Sequence, residues 1–193
     1  MLDTHARKWV EPTIASGANL FNKLGLSANQ VTVISFLFGL STSGFILVNK
    51  PVLAVCLLWF SGYLDAVDGS LARKFGQPSA VGTLMDITFD RVVELAMILT
   101  LAYTRVDARL ALVYLACGII LSMTVFLTVG ALADQKGVKS FYYQAGMMER
   151  TEGFIGFTFM ILLPQYMVWI STIMATLIVF TGLQRFNEAR KLL

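Results

Sequence analysis

Six stretches of apolar residues, at 31–48, 52–72, 82–104, 110–132, 153–163 and 167–186, follow one another with connections too short to hold a folded soluble domain. Most are about as long as the roughly 20 residues a helix needs to cross a bilayer. Composition agrees: 56% of the chain is hydrophobic and only 14% charged, against about 45–50% and about 25% in soluble domains. Six spans would use about 120 of the 193 residues, leaving the rest for tails and loops. The expected architecture is all-α and integral to the membrane, a single domain over 1–193.

Residues 1–28 differ in character from the rest of the chain. Val10, Ile14, Phe21 and Leu24 recur at helical spacing, with Arg7, Lys8 and Lys23 on or near the other side. This predicts an amphipathic helix lying in the membrane interface, with Pro12 tolerated near its start. A six-transmembrane-helix bundle is expected over 29–193. The first apolar run begins behind this polar stretch, which argues against a cleaved secretory signal. Asn49-Lys50-Pro51 and Pro164-Gln165 predict tight turns between spans.

Lysine and arginine orient the chain. With both termini on one side, that side holds Arg7, Lys8, Lys23, Arg73, Lys74, Lys136, Lys139, Arg150, Arg185, Arg190 and Lys191, while the other keeps Lys50, Arg105 and Arg109. The positive-inside rule then places both termini in the cytoplasm. A net charge of +3 gives no reason to expect a nucleic-acid partner. Cys56 and Cys117 lie in apolar runs and suggest no disulfide framework.

The residues that packing does not explain are Asp65, Asp68, Asp86, Asp90 and Glu94, all inside the second and third segments. An aspartate at the centre of a membrane helix costs about 2.5–3.5 kcal/mol on insertion scales, so four would cost on the order of 10 kcal/mol. A salt-bridge network is short of cations: Arg73 and Arg91 are the nearby arginines, and Lys74 can snorkel to the surface. Arg91 and Glu94, three residues apart, are expected to pair with each other. Divalent cations would supply the missing charge. Asp65 and Asp68 are spaced i, i+3, and Asp86 and Asp90 i, i+4, so each pair falls on one helix face. Two facing helices would then form an all-oxygen site suited to Mg²⁺ or Mn²⁺ rather than zinc.

Charge counting extends this. Two divalent cations cancel four carboxylates, and a diphosphate across the metals would bring further negative charge that Arg73 could take by a bidentate contact. Arg73 lies five residues beyond Asp68, about 8 Å along a helix. A site that shallow can be reached by a soluble head group while a lipid tail stays in the bilayer. Gly82, one turn before Asp86, would permit close helix approach, and Gly69 would leave backbone open to a ligand.

The residues read Asp65-x2-Asp68-Gly69-x2-Ala72-Arg73-x8-Gly82-x3-Asp86-x3-Asp90. This resembles the motif of the CDP-alcohol phosphotransferase family at every fixed position, eight identities across 26 residues. Leu26-Ser27-Ala28-Asn29-Gln30-Val31-Thr32 is similar to the family's entry into its first span, with Ala28 where a proline is often found. The resemblance implies that Asp65, Asp68 and Asp86 ligate two Mg²⁺ or Mn²⁺ ions, and that Asp90 ligates one and acts as general base. It also implies that Asp65, Gly69 and Arg73 contact the CDP moiety, with Ser79, Asn29 and Thr32 near the nucleotide, and that the protein is a homodimer.

The implied reaction is phosphoryl transfer from a cytidine diphosphate ester with release of CMP. Length and span number resemble the members that use CDP-diacylglycerol as donor and a small polar alcohol as acceptor, of the inositol phosphate, glycerol phosphate or serine class. CDP-choline or CDP-ethanolamine transfer to a diglyceride is the alternative within the family. Lys136, Lys139 and Arg150 are the acceptor-site candidates; the bland reading is that they only obey the positive-inside rule. Outside the family, intramembrane carboxylates also mark cation transporters. A transporter would spread its acids over several helices, and would not need the Asp-Gly-x2-Ala-Arg junction.

Overall fold

The computed structural model describes residues 2–76, 78–135 and 148–192, and among these there is no β-strand. The chain forms two compact units, one of residues 4–104 and the other from residue 105 onward. Lys136 and Lys139 lie outside the described residues.

The first unit contains α1 (Leu2–Lys23), α2 (Ala28–Leu47), α3 (Pro51–Phe75) and α4 (Ala80–Thr104). Helix α1 ends because Gly25 takes a left-handed φ of 74°, which lets the Leu26 N–H donate to the Phe21 carbonyl at 3.0 Å and Gly25 N–H to Asn22 at 3.0 Å. These are the paired bonds of a Schellman stop. Ser27 then caps α2: its Oγ accepts from Gln30 N–H at 3.3 Å, and Gln30 Oε1 accepts from Ser27 N–H at 2.9 Å. Asn49, at φ 56°, repeats the stop at the end of α2, with Lys50 N–H donating to Phe45 at 2.9 Å, and Pro51 starts α3 where its missing N–H is harmless.

Helices in lipid gain little from apolarity alone, so close backbones and shared hydroxyls hold them together. Ser35 Oγ donates to the Ser61 carbonyl at 2.8 Å and Ser61 Oγ to the Ser35 carbonyl at 2.9 Å, joining α2 to α3. At Gly39 three helices converge: a Cβ there would lie 2.7 Å from Val93 of α4 and 3.0 Å from Ser61 Oγ of α3. Phe36 stacks on Phe89 with ring centroids 4.3 Å apart, fixing α4 against α2. Helix α1 joins α3 through a cluster of Ile14, Ala18, Val31, Leu64, Val67 and Leu71.

The second unit contains α5 (Arg109–Gln135), α6 (Arg150–Leu162) and α7 (Met167–Leu192), with short 3-10 turns at Val106–Ala108 and Pro164–Tyr166. Small residues again set the contact. A Cβ on Gly118 of α5 would be 3.2 Å from the Ala175 carbonyl of α7, and one on Gly182 of α7 would be 3.2 Å from Ser122 Cα.

Among the described residues, four helices are long and apolar enough to cross a bilayer: Ala28–Leu47, Pro51–Phe75, Val106–Leu132 and Pro164–Arg190. Every expected apolar segment lies within or almost within a helix, but two fall short of that standard for different reasons. Helix α4 has the length but carries Asp86, Asp90, Arg91 and Glu94. Helix α6 has 13 residues, about 20 Å at helical rise against a core of about 30 Å.

Candidate metal centre and nucleotide arm

Asp65 of α3 and Asp86 and Asp90 of α4 each bring one carboxylate oxygen within 4.8 Å of the others, and all three are half-buried. The i, i+4 step on α4 aims two carboxylates one way, and α2 holds α3 and α4 in place around them, through Ser61 one turn before Asp65 and Phe89 next to Asp90. Oxygens around one octahedral Mg²⁺ stand about 3–4.2 Å apart, given ligand distances of about 2.0–2.1 Å, so small movements would complete such a shell. The group contains no histidine or cysteine, and its oxygens suit a hard cation such as Mg²⁺ or Mn²⁺.

Asp68 stands outside that close group. It is the most buried of the four aspartates, at 6% exposure, and sits one turn further along α3. The i, i+3 step rotates it by about 60° from Asp65 and raises it by about 4.5 Å. Arg91 Nη2 pairs with Glu94 Oε1 at 3.0 Å, so the cation beside Asp90 is engaged along its own helix.

At the far end of α3 the side chain of Arg73 folds back along the helix. A Cβ on Gly69 would meet Arg73 Nη1 at 3.2 Å. At the start of α4, Ser79 Oγ accepts from Gly82 N–H at 3.0 Å and acts as the helix cap. Asn29, in the first turn of α2, approaches the same point: a Cβ on Gly82 would lie 3.1 Å from both Asn29 Oδ1 and Ser79 Oγ. Asn29 and Ser79 are thus brought together, both exposed. Thr32 is buried and its Oγ1 donates to the Ala28 carbonyl at 3.0 Å, leaving the oxygen's lone pairs as acceptors.

Arg150 opens α6 with its guanidinium 5.6 Å from the Phe154 ring centroid. Beside it Glu149 N–H donates to Glu152 Oε2 at 3.3 Å, and Met148 N–H donates to Thr181 Oγ1 of α7 at 3.1 Å. Sequence reasoning passed over two contacts that bear on α3, from Tyr63 and Lys74 to α1. The available signal was Gly17, a small residue on the apolar side of α1.

Apolar helices that carry a gathered set of carboxylates define a membrane protein with a cluster that could hold a metal ion. The chain belongs to the CDP-alcohol phosphatidyltransferase family, whose profile matches residues 26–183. It is therefore an enzyme that transfers a substituted phosphate group. It is 30% identical over 162 residues to the phosphatidylinositol phosphate synthase of Corynebacterium glutamicum, covering 80% of this chain and 71% of that protein. It is 37% identical over 79 residues to the archaetidylinositol phosphate synthase of Pyrococcus horikoshii, but that match spans 41% of this chain and 42% of the relative.

The fold is similar to that of Mycobacterium tuberculosis phosphatidylinositol phosphate synthase (PgsA1), crystallised with CDP-DAG bound. The TM-score is 0.72 at 21% identity, covering 91% of this chain and 92% of that one. The same protein in complex with manganese and citrate gives a TM-score of 0.72.

Proposed function

We propose that this enzyme moves the phosphatidyl group of CDP-diacylglycerol onto a hydroxyl of a small polar alcohol and releases CMP. An inositol phosphate is the favoured acceptor within the inositol phosphate, glycerol phosphate and serine class. The observation that carries the reading is the gathering of Asp65, Asp86 and Asp90 from two helices, beside a helix end that bears Gly69 and Arg73. The names of the Corynebacterium and Pyrococcus relatives support the acceptor class.

In this reading Asp65, Asp68, Asp86 and Asp90 hold two divalent cations, Mg²⁺ or Mn²⁺, with Asp68 serving the second from one turn along α3. Bound there, the cations would clamp the diphosphate and offset charge developing on CMP as it leaves. Arg73 reaches the diphosphate through its planar guanidinium, and Gly69, with no side chain, leaves room for that arm against α3. Asp65, Asn29, Thr32 and Ser79 contact the CDP moiety, Asn29 and Ser79 from the mouth of α4. Asp90 accepts the proton of the attacking hydroxyl, whose oxygen bonds to the phosphatidyl phosphorus while the P–O bond to CMP breaks and its electron pair departs with CMP. Lys136, Lys139 and Arg150 receive the phosphate of the acceptor.

The same reading makes α2 to α7 six membrane crossings and α1 an interfacial helix, with both termini and the active site on the cytoplasmic side, in one domain that works as a homodimer. Two supports are the excess of lysine and arginine on the side of the termini and a family match that runs through both units.

The test is CMP release from CDP-diacylglycerol by the purified full-length protein with Mn²⁺ or Mg²⁺. The panel is inositol 1-phosphate, inositol, glycerol 3-phosphate and serine, with a chelated control. Metal-dependent release stimulated by inositol 1-phosphate is the expected result. Silence with every acceptor would overturn the donor assignment, and stimulation by another acceptor would overturn the acceptor.

A further inference from the structure

The half of α3 that carries Asp65, Asp68, Gly69 and Arg73 is gripped along its other side by α1. Tyr63, Val67, Leu71 and Lys74 recur every three or four residues and, with Leu64 next to Tyr63, form that other side. Gly17 of α1 makes the seat possible: a Cβ there would lie 2.5 Å from Tyr63 Oη and 2.9 Å from Val67 Cγ2. Tyr63 Oη donates to the Thr13 carbonyl at 3.1 Å. Ile14 and Ala18 pack into the cluster with Val67 and Leu71. At the end of the helix Lys74 Nζ donates to Asn19 Oδ1 at 2.8 Å.

The position of this last contact matters. The final turn of a helix lacks partners for its carbonyls and frays unless something outside holds it. Arg73 lies in the last turn of α3, ahead of Phe75, with its side chain folded back over Gly69. Lys74 is its neighbour and points to α1. A bond that fixes Lys74 therefore fixes the backbone from which Arg73 reaches.

We propose that α1 is a brace for the nucleotide arm and that Asn19 is a positioning residue: through Lys74 it holds the last turn of α3 so that Arg73 meets the CDP-lipid already in place. This rests on the reading that Arg73 contacts the CDP moiety. Asn19 acts through Lys74, whose Nζ donates to its Oδ1, and has no part in the metal centre. Its loss acts on donor binding and leaves the carboxylate group, two turns back and on α4, as it was.

The test uses purified full-length protein, with KM for CDP-diacylglycerol and kcat measured separately and Mn²⁺ binding followed by electron paramagnetic resonance. Asn19→Ala is expected to raise KM about fivefold, the scale of one ordinary hydrogen bond at an exposed site. The kcat at saturating lipid and the Mn²⁺ affinity should stay within about twofold, inside ordinary surface-substitution scatter. Asn19→Asp restores KM, because its carboxylate can accept from Lys74, and Lys74→Met reproduces the defect from the other side even if Asn19→Ala does not fold.

In an Arg73→Ala background, Asn19→Ala adds nothing, since residues that act through one group are non-additive. An unchanged KM in both Asn19→Ala and Lys74→Met overturns the proposal. So does a defect that persists in full without Arg73. If Arg73→Ala alone leaves KM unchanged, the assignment of Arg73 to the nucleotide fails, and the brace falls with it for that distinguishable reason.

Discussion

The Arg73 guanidinium lies against Gly69 on α3, its Nη1 3.2 Å from where a Cβ at position 69 would stand. Gly69→Val is expected to push the arm off its helix and to raise KM for CDP-diacylglycerol by about tenfold, with smaller change in kcat, since a bidentate contact of about 1.5–3 kcal/mol is lost or weakened. Kinetics at varied lipid concentration check this. A valine variant with unaltered KM would mean that Arg73 binds from another rotamer.

Asp90 is the group expected to take the proton. Asp90→Asn keeps the shape and removes the base, so kcat should fall by about 10²–10⁴ while CDP-lipid still binds. Turnover by single-turnover CMP release, alongside equilibrium binding of the lipid, separates the two quantities. Near-normal turnover in the asparagine variant would take Asp90 out of that role.

Metal binding is expected to need oxygens from both helices. Asp65→Asn on α3 and Asp86→Asn on α4 should each weaken Mn²⁺ binding by more than the about tenfold cost of an altered outer-shell partner. Titration followed by electron paramagnetic resonance reads this without turnover. Treatment with a chelator should abolish CMP release, and added Mn²⁺ or Mg²⁺ should restore it. Equal metal affinity in wild type and both variants would move the site elsewhere.

The Arg91–Glu94 pair, 3.0 Å long with both side chains mostly covered, should matter for stability. Arg91→Leu alone takes a charged partner from the Glu94 carboxylate and is expected to cost about 1–3 kcal/mol, while Arg91→Leu with Glu94→Leu recovers part of the loss. Thermal unfolding in detergent measures both. A double variant no more stable than the single one would show that the pair does more than satisfy itself.

Local pattern carried much of this fold. The spacing of Asp86 and Asp90 on one helical face, the stop at Asn49-Lys50-Pro51 and the Arg91–Glu94 pair are properties of residues within one turn of each other, and a periodic reading reaches them. Asp68 illustrates the first limit: i, i+3 puts it on the same broad face as Asp65 but a turn away, and only coordinates show which carboxylates meet within 4.8 Å. Thr32 illustrates another, because the partner of its hydroxyl, the Ala28 carbonyl, depends on its rotamer. The seating of α1 was not legible. Gly17, Asn19, Tyr63 and Lys74 come from positions about 50 residues apart, and nothing in either segment alone says which side of α3 would receive α1. Helices α4 and α6 sit between: their helical character comes from pattern, whereas a crossing depends on how a carboxylate-bearing face and a 13-residue helix are accommodated in lipid.

The two hydroxyls that Ser35 and Ser61 exchange with each other's backbone have a consequence for the turn that joins their helices. Sliding α3 by one residue along α2 would take both acceptor carbonyls out of reach and turn each hydroxyl back onto its own helix, so the two helices would lose the bonds that join them. The alignment of the hairpin is thus written inside the bilayer, at its serines and at Gly39, and the residues at 48–50 only keep the ends within reach. A chain cut at Lys50 and expressed as two pieces should find the same alignment again, with Asp65 returned to its place opposite Asp86 and Asp90.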